Sequence, residues 1–287
     1  MEYLCQERSD SMKYLVSPSK KEDIKELIDL NINSFLFGIK ELSIYQNFYI
    51  TIDELKEIID VNDIEVFISL NKLMHNNDLV LLEQVLIELS KMPITGVLYD
   101  DMAIPSINEK LLLNLPLIWS GSHLVTNYNT INTLNVKGAL LSSEITLDEM
   151  INIKKNTNKI IIVPVFGYQV MTTSKRNLVS NYLSFIGKEK ENNIYYLKDK
   201  DGIYPTYEDA NGAHILTKDV LNGIKELSIF ENNDIDYVYL SSLNIESEVF
   251  NEVIKRYQNN IPINDLIANE STMFYYKETY FKVNNND

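Results

Sequence analysis

Short apolar segments alternate with amphipathic segments along almost the whole chain, and this alternation constrains the fold more than any other feature. Successive apolar segments lie roughly 20–30 residues apart up to the seventh, which is the spacing of parallel βα units. Eight such units predict an α/β protein with a closed (β/α)8 TIM-like barrel. An open doubly wound sheet is the alternative, although no glycine-rich dinucleotide turn follows the first strand. The predicted strands are YLVS (14–17), SFLF (34–37), EVFISL (65–70), GVLY (96–99), PLIW (116–119), GALL (138–141), KIIIVPV (159–165) and YVYL (237–240).

Helix-start signals occur in phase with these strands. The S/T-x-x-E pattern lets a hydroxyl and a carboxylate cap the first turn of a helix reciprocally. Four matches lie just after a predicted strand or its loop: Ser19–Glu22, Thr51–Glu54, Ser106–Glu109 and Thr146–Glu149. Each match predicts a helix that follows a strand.

One interval of about 70 residues, between the seventh and eighth predicted strands, breaks the rhythm. Within it, IYYL and IYPTY flank the turn residues Asp199 to Gly202, which predicts a β-hairpin. We therefore expect a hairpin insertion after strand 7, at about 187–216, in a single barrel domain over 13–258. Residues 1–12 are predicted to be a flexible extension, and 259–287 a docked C-terminal tail with a frayed end.

The composition restricts the class of protein. The net charge of −15 argues against autonomous nucleic-acid binding, which needs lysine and arginine to neutralise phosphates. No segment has the roughly 18 apolar residues of a membrane span, and the first residues lack the order of a signal peptide. We expect a soluble, cytoplasmic protein with no membrane partner. The single cysteine, Cys5, cannot by itself hold an iron–sulfur cluster or a structural zinc ion.

Functional residues of a parallel barrel lie at the C-terminal ends of its strands. Asp100 and Asp101 are candidates for a general base, His123 for an acid or base near neutral pH, and Glu144 for a polar anchor. The alternatives are structural: acids that cap a helix, a hydrogen-bonded loop histidine, and a carboxylate beside a helix dipole. His75 and His214 lack metal-ligand spacing, so no metal site is predicted.

Two further groups at this mouth are candidates for binding. Lys175 and Arg176 could hold a carboxylate or phosphate, or could be a solvated start to a helix. Asn71 and Ser143 also follow predicted strands. No motif fixes a geometry in which Ser143 and His123 would form a nucleophilic pair.

Four stretches resemble peptidase family U32, the collagenase-like proteases. They are VFISLNKLMHNNDL (66–79), GVLYDDMAI (96–104), the segment 121–150 and VFGYQVMTTSKRNLVSNY (165–182). The segment 121–150 is the most specific match, with Asn127, Gly138 and the pair Ser143-Glu144 in the order of the family. The resemblance implies a TIM-barrel-like fold and adds Asn127 to the substrate-binding candidates.

The resemblance also implies a cofactor and partners. Many members bind a [4Fe–4S] cluster through four cysteines and take part in hydroxylation of ubiquinone precursors or RNA, including prephenate-dependent hydroxylation of wobble uridine in tRNA. Here Pro164 stands where the family signature has a glutamate, and Val170, Met171 and Asn177 occupy its cysteine positions. The chain therefore resembles the short, cysteine-free branch, whose members work beside a larger, cluster-bearing homologue.

Three hypotheses follow. The first is a companion subunit in tRNA uridine-34 hydroxylation that binds no cofactor itself and contacts tRNA through a larger U32 partner. The second is a collagenase-like peptidase, although the sequence contains neither HExxH, nor G-x-S-x-G, nor a catalytic cysteine. The third is a non-catalytic scaffold or binding protein. Whether the chain is an enzyme stays open at this point.

Overall fold

A computed structural model describes residues 12–277. The strands are β1 (Lys13–Ser17), β2 (Ser34–Ile39), β3 (Tyr49–Ile50), β4 (Glu65–Leu70), β5 (Gly96–Tyr99), β6 (Leu117–Trp119), β7 (Gly138–Leu140), β8 (Ile160–Gly167), β9 (Val170–Ser174), β10 (Ile194–Asp199), β11 (Gly202–Asp209), β12 (Gly212–Leu216), β13 (Val220–Asn222), β14 (Tyr237–Ser241) and β15 (Glu270–Ser271). The α-helices are α1 (Asp23–Asp29), α2 (Ile52–Val61), α3 (Leu79–Leu89), α4 (Ala103–Lys110), α5 (Tyr128–Thr133), α6 (Leu147–Lys155), α7 (Leu178–Phe185), α8 (Leu227–Glu231) and α9 (Ser247–Gln258).

Eight parallel strands close into a barrel in the order β1, β2, β4, β5, β6, β7, β8 and β14. Closure is direct, because β14 pairs in parallel with both β1 and β8. Helices connect the strands on the outside, where their apolar faces pack against the sheet. The predicted (β/α)8 barrel is confirmed, and so are all eight predicted strands.

The barrel interior is filled by one apolar residue from each strand, as expected for a packed core. This inner layer consists of Leu15, Leu36, Phe67, Leu98, Ile118, Leu140, Ile162 and Tyr237. Glu65 lies at the N-terminal end of the interior, where it accepts hydrogen bonds from Lys13 Nζ (2.7 Å), Ser34 Oγ (2.6 Å) and the Tyr237 hydroxyl (3.0 Å). The carboxylate therefore links β4 to three other strands, β1, β2 and β14, at the end of the barrel opposite the predicted site.

Two of the four predicted capping boxes are present. Thr51 and Thr146 each accept a hydrogen bond from the backbone of the glutamate three residues later, at the starts of α2 and α6. The predictions at Ser19 and Ser106 were wrong. Helix α1 begins only at Asp23, without a side-chain cap from Ser19. Ser106 lies inside α4, because Asp101 Oδ1 accepts a hydrogen bond from Ala103 N (2.9 Å) and the helix starts earlier.

The predicted hairpin is also present, as strands β10 and β11. It belongs to a larger antiparallel sheet with the order β10, β11, β12 and β9, which we call the second sheet. Strand β9 follows β8 after a turn that begins at Gly167, so the second sheet starts at the C-terminal end of a barrel strand. The insertion therefore stands beside the barrel mouth.

The segment after α9 packs back against the barrel. Strand β15 pairs with β13, and the buried Tyr275 donates a hydrogen bond from its hydroxyl to Pro164 O (2.6 Å). Residues 1–11 and 278–287, and with them most of the predicted N-terminal extension and the end of the tail, lie outside the described residues. The predicted domain boundaries stay a prediction. Between residues 12 and 277, no helix is both long and apolar enough to cross a membrane.

Candidate functional site

A ring of mainly polar residues lies directly above the apolar inner layer. Side chains two residues apart on a strand point to the same face, so the next inward position of each strand forms the following layer. Large side chains fill the layer below, whereas small ones leave space in this ring. The ring positions are Ser17, Gly38, Ser69, Asp100, Ser120, Ser142, Pro164 and Tyr239, of which Tyr239 is the one large side chain.

This ring surrounds a cavity of about 140 Å³, the inner cavity. Its floor is apolar, formed by Leu36, Leu98 and Leu140 with Tyr239 beside them. A second cavity of about 250 Å³, the outer cavity, adjoins it toward the second sheet. The residues that line both cavities are Tyr45, Asn71, Asp100, Ser122, His123 and Val170.

Asp100 is the ionisable member of the ring. Its carboxylate accepts hydrogen bonds from Ser120 Oγ (2.8 Å) and Ser122 Oγ (3.3 Å). Burial raises the pKa of Asp100 to about 7, the neighbouring Asp101 raises it further, and the two serine hydrogen bonds offset only part of the rise. A carboxyl group that exchanges its proton near neutral pH can act as an acid or a base.

His123 and Glu144 form a pair at the mouth. The distance from His123 Nδ1 to Glu144 Oε2 is 2.8 Å, and the two side chains are 52% and 45% exposed. They lie on the loops after β6 and β7, as the sequence predicted. His123 lines both cavities, so the carboxylate orients an imidazole that faces the site.

Asn71 holds the loop that follows β2. Its Oδ1 accepts a hydrogen bond from Ile44 N (2.8 Å), and Asn47 Nδ2 donates to Ser242 O (2.6 Å) from the other end of the loop. Tyr45 and Gln46, between these anchors, line the inner cavity. Sequence reasoning missed both residues. The sequence signal for this loop was the glycine at position 38, near the end of β2. The structure gives its reason, because a Cβ there would lie 2.8 Å from Gln46 Cγ.

The remaining predicted residues are distributed unevenly. Ser143 lines the inner cavity. Lys175 lines the outer cavity, where its Nζ donates to Leu73 O (3.2 Å) and contacts His75 Nε2 at 2.8 Å. Arg176 is exposed and lines neither cavity.

Two predicted residues have backbone partners away from the cavities. Asp101 Oδ2 accepts a hydrogen bond from Met74 N (2.8 Å), in addition to the contact that starts α4. Asn127 caps α5, where its Oδ1 accepts from Thr130 N (2.9 Å). The functional roles predicted for these residues stay predictions.

The second sheet contributes residues that the sequence did not single out for the site. Thr172 and Thr173 of β9 and His214 of β12 line the outer cavity. Their approach depends on the pairing of β12 with β9, which places His214 opposite Thr173. The hairpin signal could indicate an insertion at this point, but not which of its side chains face the barrel.

The two cavities differ in charge. The described residues that line the inner cavity include no lysine or arginine, so its wall offers hydroxyl and amide groups, the carboxyl group of Asp100 and the imidazole of His123. The outer cavity includes Lys175 and Lys72, the latter paired with Asp78 at 3.0 Å. This arrangement suits a ligand with a neutral polar part inside and an anionic part outside. Within residues 12–277, no group of three or more His, Cys, Asp or Glu side chains could hold a metal ion.

Comparison with known proteins identifies a matching family and a similar protein. The profile of peptidase family U32 matches residues 19–285. The chain is 28% identical over 263 residues to tRNA hydroxylation protein P2 of Bacillus subtilis (strain 168), covering 87% of this chain and 85% of that protein.

Solved structures show only low similarity to this chain. A glycoside hydrolase family 18 N-acetylglucosaminidase from Paenibacillus barengoltzii is 10% identical with a TM-score of 0.43, covering 86% of this chain and 99% of that one. The spore cortex-lytic enzyme SleL of Bacillus cereus is also 10% identical, with a TM-score of 0.44, covering 88% and 75%. No functional conclusion follows from similarity at this level.

Proposed function

Because this chain belongs to peptidase family U32, we propose that it acts in the hydroxylation of tRNA, as a companion subunit for prephenate-dependent modification of uridine 34. The observation that carries this proposal is the 28% identity over 263 residues to tRNA hydroxylation protein P2. The alignment covers 87% of this chain and 85% of that protein.

The site supports a role in holding a small molecule. Hydroxyl groups of the ring and amides of Asn71 and Gln169 offer donors and acceptors to a polar ligand. A carboxylate of such a ligand would lie toward Lys175 in the outer cavity. Asp100 and His123 would then lie beside the bound molecule as proton donors or acceptors.

A partner follows from composition. A [4Fe–4S] cluster needs four thiolates, and this chain has one cysteine. We therefore propose that a larger U32 homologue carries the cluster. The net charge of −15 supports the proposal that the same partner makes most of the contact with the tRNA backbone. The complex would act in the cytoplasm.

Two experiments test the proposal. The gene is deleted and 5-hydroxyuridine in total tRNA is measured by nucleoside mass spectrometry; we expect its loss, and its return with the wild-type gene. Affinity purification of the tagged chain from the same cells should recover a U32 protein that contains four cysteines. Unchanged 5-hydroxyuridine would refute the proposal. Casein cleavage by the purified protein that disappears in Asp100→Asn would favour a peptidase instead.

A further inference from the structure

A continuous row of hydrogen bonds crosses from the second sheet to the barrel mouth. His214 Nε2 lies 3.1 Å from Asp209 Oδ1, and His214 Nδ1 lies 3.2 Å from Thr173 Oγ1. Thr173 Oγ1 in turn lies 2.5 Å from the hydroxyl oxygen of Tyr45. Tyr45 belongs to the loop after β2, so the row joins β11, β12 and β9 to the barrel.

The donors and acceptors in this row are inferred from Asp209, at its far end. The hydrogen bonds from His214 and from Asn211 N outweigh burial and lower the pKa of Asp209, so its carboxylate is ionised and can only accept. His214 therefore donates from Nε2, and a relay through its ring requires Nδ1 to accept. Thr173 must donate to Nδ1, which leaves its oxygen to accept the hydrogen of Tyr45. The Tyr45 oxygen then keeps a lone pair with which to accept from a ligand in the cavities that Tyr45 lines.

The burial of His214 and the backbone conformation of Tyr45 distinguish this row, in which the side chain of Thr173 is exposed. His214 is 0% exposed and packs against the rings of Tyr207 and Tyr45, with centroids 4.8 and 5.3 Å away. Tyr45 has a backbone φ of +65°, and Ser122 on the opposite side of both cavities has +47°. Residues other than glycine adopt positive φ angles only at a cost in free energy, and strained residues concentrate at functional sites.

We propose that Tyr45, Thr173, His214 and Asp209 form a proton relay in which Tyr45 accepts the proton of a ligand hydroxyl or N–H group. The ligand gives its proton to the Tyr45 oxygen while the Tyr45 proton passes to Thr173 and the Thr173 proton passes to His214 Nδ1. The products are a ligand anion and an imidazolium beside the Asp209 carboxylate. Among the described residues, the other charged or titratable groups near this row are Tyr49, Tyr207, Asp100, His123, Lys72 and Lys175.

The first test is the tautomer of His214, and it does not depend on the proposed function. The chain has three histidines, so the imidazole ¹⁵N spectrum of the histidine-labelled full-length protein is simple to assign with His75→Gln, His123→Gln and His214→Gln. We expect neutral His214 to be protonated at Nε2, and Thr173→Val to move the Nδ1 resonance to that of a nitrogen without a hydrogen bond. A neutral ring protonated at Nδ1 would reverse the row and overturn the relay.

The second test rests on the proposed function and uses the deletion strain. Thr173→Val should lower 5-hydroxyuridine by about 100-fold, since proton transfer by a positioned group contributes on the order of 10²–10⁴. Thr173→Ser, which restores the hydroxyl, should recover most of it. Tyr45→Phe, which keeps the ring beside His214, should reproduce the loss. Thermal unfolding of the purified variants excludes a folding defect.

The outcomes separate the two proposals. Wild-type modification by a stable Thr173→Val or Tyr45→Phe protein would overturn the relay and leave the proposed function standing. If the wild-type gene itself restores no 5-hydroxyuridine, the proposed function fails, whereas the tautomer still tests the relay. Covalent attachment of a fluorophosphonate to Thr173 would make it a nucleophile and would also overturn the relay.

Discussion

Ser120 donates a hydrogen bond from its hydroxyl to Oδ1 of Asp100, at 2.8 Å, between the C-terminal ends of two adjacent barrel strands. Both residues occupy the polar ring, one alternation above the apolar inner layer. Without such partners a carboxyl group at this depth would have an even higher pKa, because burial disfavours its charge. The contact therefore holds an acid in the cavity and keeps its proton exchangeable.

We expect Asp100 to make folding depend on pH. Its pKa is raised from 3.8 to about 7, so the folded state binds more protons than the unfolded state between these values and its stability falls as the pH rises through them. Asp100→Asn should remove this pH dependence of stability. Above pH 7, the unfolding free energy of the variant should be higher than that of the wild type by at least about 1 kcal/mol. Urea unfolding at several pH values measures it. Asp63→Asn, the same change at an exposed loop position, should leave the pH dependence intact.

Glu65 should have the opposite pH dependence. Burial would raise its pKa, but hydrogen bonds from Lys13, Ser34 and Tyr237 outweigh it and lower the pKa below the ordinary value of 4.5. Its contribution to stability is therefore full above that value and is lost as the pH falls through the depressed pKa. Glu65→Gln should cost about 1–3 kcal/mol at pH 7 and less at pH 3. A cost that does not change with pH, or that the exposed Glu109→Gln control matches, would contradict this role.

Gly167 should not tolerate a side chain. Its φ is +119°, and a Cβ would lie 2.6 Å from Ser241 O, a backbone atom of the adjacent strand. Gly167→Ala should lower the unfolding free energy by about 2–4 kcal/mol, combining backbone strain with displacement of β14. Gly187 provides the control, since its φ is +71° and nothing lies within 4 Å of an added Cβ. Gly187→Ala should lower the unfolding free energy by only about 1 kcal/mol. Equal losses in Gly167→Ala and Gly187→Ala would show that backbone strain alone, and not the contact with Ser241 O, causes the destabilisation.

Glu144 should matter for activity and not for folding. Its contact with His123 is half exposed, and pairs of this kind stabilise proteins by less than about 1 kcal/mol. Glu144→Gln should therefore leave the melting temperature nearly unchanged, yet lower 5-hydroxyuridine in the complemented deletion strain by about tenfold or more, because the imidazole loses its orienting carboxylate. The exposed Glu109→Gln should affect neither quantity. Full modification by Glu144→Gln would exclude the pair from the reaction.

Local sequence signals predicted much of the fold because they report on nearest neighbours along the chain. The apolar strands, the caps at Thr51 and Thr146 and the turn at Asp199–Gly202 each depend on residues a few positions apart. The cap predicted at Ser106 failed for the complementary reason: Asp101, on the preceding loop, starts α4 earlier. A pattern of four residues carries no information on such a competing partner.

The sequence by itself determined the eight βα units and the identity of the residues at the strand ends, since alternation along a strand decides which side chains face inward. It therefore predicted Asp100, His123 and Glu144 at one mouth. Only the tertiary structure decided the surroundings of these residues. Barrel closure brings serines from separate strands around Asp100, and the pairing of β12 with β9 places His214 beside Thr173 and Tyr45. Such contacts join residues tens to hundreds of positions apart, so no local periodicity encodes them.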